Sequence, residues 1–473
     1  MVILAPLFFR RKEHKVDICS LFREPFKMSE NITFSEYVEA GPKLLSGNRL
    51  IQATFRASPL HVTVANVIRR QILAAVPTVG FKTEPPEHSD VHIEANTTPL
   101  VNEMLMHRIG MIPICVKDVH NFKPEEYEFG INIENVGNTP VHVTASDFTI
   151  TRTYDGKVES VPTAQFFPPD PITGETQLIT ILRPKYNLDS LPERLILKAT
   201  ASIGTGRQNM RYSPVAQCSY EYTPDEDVSK QKAILADWLA NSKKVPDSSA
   251  ISAERLEELT REFNCLEIQR CFKKNEKGEP YDFLFHIESV GVLSVPDIIS
   301  RGIKACETIV APYVDFDTQF PLKSDGLPLV TVNKAVRRME GSFEFVFEDQ
   351  EHTLGNLLQT FLVERHIEGK EQPKLTYVGY KVPHPLKAEM VLLVATEDGQ
   401  ELTARQAIAN VCKYLKGYFA EAKESWDKAP KGTEEPAQAV EPVQAAQPVQ
   451  AAQPAQPAQA VQTKKRGTKK TGP

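Results

Sequence analysis

Residues 62–77, VTVANVIRRQILAAVP, decide how this chain is read. Val64, Val67, Ile68, Ile72 and Val76 recur at helical spacing, which predicts a helix over 61–75. Its apolar stripe leaves Arg69 and Arg70 to one side. The strand-like LIQATF (50–55) precedes this helix and TVGFKTEP (78–85) follows it. The same order returns late in the chain as SFEFVF (342–347), HTLGNLLQTFLVERH (352–366) and LTYVGYKVPHPL (375–386). Asn66 aligns with Asn356, and Val79-Gly80-Phe81 with Val378-Gly379-Tyr380, across a longer loop in the second copy. Each copy is expected to close on a further helix, over 298–313 and 404–425. Two amphipathic helices alone would match by composition; the shared order of strand, Asn and Val-Gly-aromatic makes this an internal repeat. A strand–helix–strands–helix unit carries both helices on one sheet face and leaves their outer side apolar. Two units hide that surface by packing as a pseudo-symmetric pair, and covalent linkage holds the partner at about millimolar effective concentration or more.

Around the repeat, FLFHIES (283–289) and FEFVF (343–347) alternate with period two, as half-buried strands do. Further strands are expected at 129–133, 141–145, 195–202 and 390–396. Strands and helices without a regular βαβ rhythm indicate an α+β fold. The acidic EYTPDEDVSKQ (221–231) leads into an expected helix over 230–241 and a loop, KKVPDSSA (243–250). Ser252 reads as the cap of another helix carrying Leu256, Leu259 and Phe263. PLKSDGLP (321–328) is a further linker. From about 429 the chain turns to Pro, Ala, Gln and Val without an aromatic residue, the composition of a flexible tether. It ends in KKRGTKKTGP (464–473), a basic cluster suited to solubility, to a weak nucleic-acid contact or to nuclear import.

A length of 473 residues exceeds one hydrophobic core. With 41% hydrophobic and 25% charged residues, wholesale disorder is excluded. The 55 basic and 61 acidic residues give a net charge of −6, so the body is no polycation made to coat nucleic acid. Seven widely spaced cysteines without a CxxC argue against a disulfide framework or zinc knuckle and suit a reducing compartment. No apolar run reaches the ~20 residues of a membrane span, and MVILAPLFF is followed rather than preceded by basic residues, unlike a secretory signal. A soluble intracellular protein with no membrane partner is expected.

Several blocks in order resemble the alpha-like subunits of multisubunit DNA-directed RNA polymerases. Asn66-Val-Ile-Arg-Arg with AAVPT is similar to their hallmark segment. IEANTTPLVNEMLMHRIGMIPI (93–114), GRQNMRYSPVAQCSYEY (206–222) and FHIESVG (285–291) with VPDIISRGIKAC (295–306) resemble the third-largest subunit of polymerase II and archaeal D. EDQEHTLGNLLQTFLVERHI (348–367) with YVGYKVPHPL (377–386) resembles the eleventh subunit, or archaeal L. The resemblance covers about 45–425. It implies two alpha-type dimerisation modules, each a mixed sheet with packed helices, in one chain. The first would comprise 45–85 and 265–320, interrupted by a mainly-β inserted domain (86–225) and a helical linker (226–264). A linker (321–329) would precede the second, smaller module (330–426), flanked by an N-terminal extension (1–44) and a disordered tail (427–473). The chain thus resembles a natural fusion of two subunits, an arrangement known in large nucleocytoplasmic DNA viruses. That source would place it in the virion and host cytoplasm; otherwise the nucleus is expected.

The resemblance implies a non-catalytic assembly platform. Val64, Val67, Ile68 and Ile72 would face Leu354, Leu357, Leu358 and Phe361 across an intramolecular dimer interface. Asn66, Arg69, Arg70, His107 and Arg108 are candidates for contact with the large subunits, where a guanidinium suits carboxylate or backbone oxygen. His107-Arg108 lacks a nucleophile or orienting acid, so a structural loop with Gly110 easing a tight path is expected. Asp349, Glu351 and His352 precede a helix start, where acids complement the dipole. Asp315 and Asp317 lack a third acid, and Gly204-Thr-Gly206 lacks the glycines and Lys of a phosphate loop. Some relatives carry a cysteine cluster in the insert; here Cys115, His120 and the distant Cys218 do not make four ligands, so no metal and no cofactor are expected. Implied partners are the two largest catalytic subunits and small zinc-binding subunits, with DNA and RNA reached only through the complex. The alternative is a transcription regulator binding nucleic acid through its basic tail.

Overall fold

The computed structural model describes residues 32–40, 52–170, 173–185, 191–245, 252–334 and 341–430. Strands β1 (Thr33–Ala40) and β2 (Gln52–Ser58) lead to helix α1 (Val62–Ala74) and strand β3 (Pro77–Gly80). An insert follows: β4 (Val91–Asn96), α2 (Asn102–Gly110), β5 (Tyr127–Asn135), β6 (Val141–Thr144), β7 (Thr149–Tyr154), β8 (Lys157–Val161), β9 (Leu178–Leu182), β10 (Glu193–Ala199) and β11 (Ser202–Thr205). The chain returns through β12 (Val215–Tyr222), α3 (Val228–Asn241), α4 (Ala253–Glu262), β13 (Phe283–Ser289) and α5 (Val295–Val310). The second half comprises β14 (Val330–Lys334), β15 (Ser342–Glu348), α6 (His352–Leu362), β16 (Leu375–Lys381), β17 (Glu389–Thr396) and α7 (Glu401–Lys428). The architecture is α+β, and every described strand pairing is antiparallel.

The repeat is visible in the topology. One sheet runs β1-β2-β13-β12, the other β14-β15-β17-β16. In each, the first helix follows the second strand and the closing helix follows its central neighbour. The counterpart of β16 is therefore β12, not the Val79-Gly80-Phe81 segment with which it aligns. Strand β3 pairs with β11 instead, and Phe81 stacks at 5.8 Å on Phe148 and meets Phe129 edge-on at 5.3 Å in the insert's own core. The first copy leaves its sheet after α1 and rejoins it only at β12. Three boundaries shift accordingly: β1, placed in the extension, is an edge strand of the first sheet; residues 77–81 go with the insert; and β12, placed in the insert, belongs to the first sheet.

Helix starts follow their caps. The His61 ring Nδ1 accepts the Thr63 N–H at 3.1 Å and opens α1. Helix α5 begins at Val295, three residues before its expected start, because Ser294 Oγ accepts the Asp297 N–H at 3.3 Å and Pro296 needs no amide partner there. The expected Ser252 cap is present, its hydroxyl accepting from Arg255 N at 3.4 Å. Segments 1–31 and 431–473, hence the extension's start and most of the tether, lie outside the described residues. Among the described residues, no helix is long and apolar enough to cross a membrane.

Two features tie the first sheet together. Asp282, nearly fully buried, accepts Arg56 Nε at 2.7 Å, a second Arg56 nitrogen and the Thr223 hydroxyl at 2.8 Å. Burial pushes this carboxyl up, but the Arg56 and Thr223 bonds outweigh that and hold it below its ordinary value. Trp426, near the end of α7, sits 5.3 Å from Phe34 and 5.1 Å from Phe55. Its Nε1 donates to Pro296 O at 3.2 Å, so one second-half residue touches β1, β2 and α5.

Trp426→Ala is expected to cost about 3–5 kcal/mol, read as a lowered urea midpoint for the whole chain. Asp282→Asn is expected to cost about 1.5–3 kcal/mol at pH 7, toward the low end because Arg56 is partly solvated. Since the folded value is depressed, this contribution is full above the unfolded aspartate value of about 3.9 and fades as pH falls through the folded one. Urea midpoints of parent and variant should therefore converge on acidification.

Candidate assembly interface

The seam between the halves is built from α1 and α5 on one side and α6 and α7 on the other, with α5 lying along α7. The four helices and the inner faces of both sheets share a single hydrophobic cluster. Val64, Val67, Ile68, Ile72, Leu354, Leu357, Leu358 and Phe361 all lie in it, none more than 2% exposed. Fully burying each such side chain is worth about 1.5–3 kcal/mol. The direct α1–α6 contact carries a small polar pin: Thr63 Oγ1 lies 3.3 Å from Thr360 Oγ1, and Asn356 Nδ2 reaches Thr63 Oγ1 at 3.4 Å. His61 Nε2 lies 3.4 Å from Glu364 Oε1. Burial lowers the imidazole and raises the carboxyl, so at neutral pH an uncharged imidazole rather than a full ion pair meets Glu364.

The longer α5–α7 contact was not singled out in the sequence. Gly302 explains its closeness to α1: a Cβ there would fall 2.4 Å from Ile72 Cγ1. Cys306 and Cys412 are fully buried on these helices, and burial pushes both thiols far up, so they serve as small apolar fillers. Ala404, Ala407 and Ala409 are also buried. That run of small residues at core positions is the signal a closer reading could have used. Across the ends of the seam, Ser300 Oγ donates to Asp427 Oδ1 at 3.1 Å and Arg405 Nε to Phe316 O at 2.8 Å.

The five large-subunit candidates fall in two places. On α1, Asn66 Oδ1 accepts Arg69 Nε at 3.1 Å and Nη2 at 2.9 Å, so these two residues satisfy each other. Arg70 is partly exposed and reaches Glu351 Oε2 at 3.5 Å. His107 and Arg108 are exposed on α2, where a loop was expected. Gly110 ends that helix, and the space a Cβ would take holds Arg211, whose Nη1 would lie 2.5 Å away. Arg211 itself bonds Phe81 O and Thr83 Oγ1. Arg108 Nη2 donates to Leu178 O at 2.8 Å, tying α2 to β9.

Around that pair lies an apolar surface the sequence reading missed. Met104, Met111, Leu178 and Ile181 are 55%, 58%, 40% and 40% exposed. Met104, His107, Arg108 and Met111 follow i, i+3, i+4, i+7 spacing and so share one helix face. The methionine spacing carries the signal; the facing β9 residues come from elsewhere in the sequence.

The other residues weighed in the sequence, and His384 beside them, have local tasks. His352 Nδ1 lies 3.3 Å from the Tyr380 hydroxyl, and His384 Nδ1 accepts Leu386 N–H at 3.1 Å. Gly204 abuts the Tyr212 ring, and Gly206 passes the α1 backbone, where a Cβ would meet Leu73 O at 2.2 Å. Cys218 is buried in the first sheet, with its thiol pushed up to about 12 by burial. Among the described residues, no three His, Cys, Asp or Glu side chains are grouped to hold a metal.

A helix-seamed pair of modules, with its polar residues spent on caps and ties, defines an interaction protein. The family model described as the RNA polymerase Rpb3/Rpb11 dimerisation domain matches residues 54–308, and a second of the same description matches 342–425. The chain is 24% identical over 282 residues to DNA-directed RNA polymerase II subunit rpb3 of Dictyostelium discoideum, covering 53% of this chain and 86% of that one. It is 29% identical over 280 residues to the same organism's DNA-directed RNA polymerases I and III subunit rpac1, covering 55% and 76%. Subunit Rpo3 of Thermoplasma volcanium is 20% identical over 260 residues, covering 53% and 89%. The chain belongs to the Rpb3/Rpb11 family of alpha-like RNA polymerase subunits.

Leu357→Asp would place a carboxylate in the shared cluster without a partner, at a cost of several kcal/mol. The expected outcome is a chain whose halves separate, read as new dye binding to exposed apolar surface and rapid proteolysis between 311 and 341.

Proposed function

We propose that the chain is a fused, non-catalytic assembly platform of a DNA-dependent RNA polymerase. Its halves correspond to two subunits that are separate in cellular enzymes, and the fused unit seats the two large catalytic subunits. The single observation that carries this reading is the continuous core shared by two modules that each match the dimerisation family. The exposed Met104, Met111, Leu178 and Ile181 surface, flanked by His107 and Arg108, supports the insert as one docking face. Exposed apolar side chains flanked by polar ones are a common mark of a protein contact. Small zinc-binding subunits belong to the same proposal, as do DNA and RNA reached only through the complex. The fused arrangement is the support for a source in a large nucleocytoplasmic DNA virus, with the chain in virions and host cytoplasm. The alternative of a regulator acting through the basic tail gains no support from the relatives.

Affinity purification of the tagged chain from its native source, followed by mass spectrometry, should recover the two largest polymerase subunits. Met104→Glu with Met111→Glu should reduce their recovery severely while leaving stability within about 0.5 kcal/mol per substitution. Unchanged recovery would remove the α2–β9 face from the proposal, and absence of both large subunits from the parent sample would overturn it.

A further inference from the structure

A cleft of about 420 Å³ opens where α1 ends, beside α5, the turn after β11 and the start of α6. It is lined by both halves of the chain and by the turn that leaves the insert. Its rim carries Arg70, Arg207, Arg301 and Lys304, against a single carboxylate, Glu351, among the described lining residues. Glu351 is shared between Arg70 at 3.5 Å and Arg207 at 3.8 Å. Arg301 Nη2 donates to Lys117 O at 2.8 Å, while its Nη1 is buried and has no hydrogen-bond partner among the described residues. Lys304 is about half exposed, its ammonium 2.7 Å from Glu307 on its own helix. Four cations thus converge on one cleft of a chain whose net charge is −6. Ala75, Pro77 and Ile309 contribute an apolar part to the lining.

We propose that this cleft receives a short acidic and aliphatic segment of a partner polypeptide. A carboxylate would meet Lys304 and the exposed guanidinium of Arg207, and the neighbouring aliphatic side chain would settle on Ala75, Pro77 and Ile309. With one lining carboxylate shared by Arg70 and Arg207, the rim has cationic capacity to spare, and an incoming carboxylate complements it. The apolar lining favours a peptide over a nucleic-acid phosphate, which would leave that surface without a match. Because both modules line the cleft, the slot is complete only when the halves are packed, so its occupant reads out the assembled seam. The inference rests on the assembly reading, in that the occupant is another subunit of the same complex.

The test is carbodiimide coupling, which joins an amine directly to a carboxylate, applied to the complex purified with the tagged full-length chain. The expected result is an amide from Lys304 to an Asp or Glu of another subunit, lost in Lys304→Arg although that subunit remains bound. Arg207→Glu with Lys304→Glu should lower retention of the same subunit about tenfold at 0.15 M salt, with an unchanged melting temperature as the check on folding. Large subunits present with Lys304 coupled only to Glu307 would overturn the cleft proposal and leave the assembly reading standing. Protection of Lys304 from acetylation that disappears on nuclease treatment would assign the cleft to nucleic acid and overturn it equally. A sample without any polymerase subunit would overturn both.

Discussion

Everything in this molecule depends on hiding the outer faces of two pairs of helices from water. Each four-stranded sheet buries one side of its helices by itself; the other side is apolar and has no place to go except against its counterpart. The four helices meet in one cluster, so neither half has a finished core alone. Each buried aliphatic side chain is worth about 1.5–3 kcal/mol, whereas an exposed ion pair adds about 0–1 kcal/mol. The seam is therefore held by packing, and the Thr63–Thr360–Asn356 pin and the Arg70–Glu351 contact set register more than they add strength.

The polar inventory fits this division of labour. Polar side chains within the body are spent on helix starts, turns and strand ties. His61 caps α1, Asp282 anchors Arg56 and Thr223, and Arg69 is occupied by Asn66. Among the described residues, two separate surfaces stand out, the methionine face of α2 and the cationic cleft beside α5. Exposed apolar side chains and clustered cations at the edges of a satisfied scaffold are what the proposed assembly role would use.

Much of the architecture was legible because helical and strand periodicities are local. The stripe Val64–Val67–Ile68–Ile72 and its counterpart around Leu357 announced both first helices, and FLFHIES and FEFVF announced central strands. What failed was pairing across long separations. Val79-Gly80-Phe81 and Val378-Gly379-Tyr380 look alike, yet the first feeds the insert and the second its own module's sheet. Nothing local in VAQCSYEY reveals that β12 crosses back to β13. The site was legible where burial decided it. It was obscure where it depended on what lies alongside, as with α5 beside α7 or Leu178 beside Arg108.

Trp426 closes the structure against Phe34 and Phe55, which were made at the opposite end of synthesis. At a ribosomal rate of 5–20 residues per second, roughly 20–80 s separate the emergence of those rings from that of the indole. For the last part of that interval, roughly 6–23 s at the same rate, α5 is made but its oily side is still uncovered, a natural target for chaperones. A copy lacking its last helix would leave that face permanently uncovered, so the seam can close only once the final turns of α7 have been made.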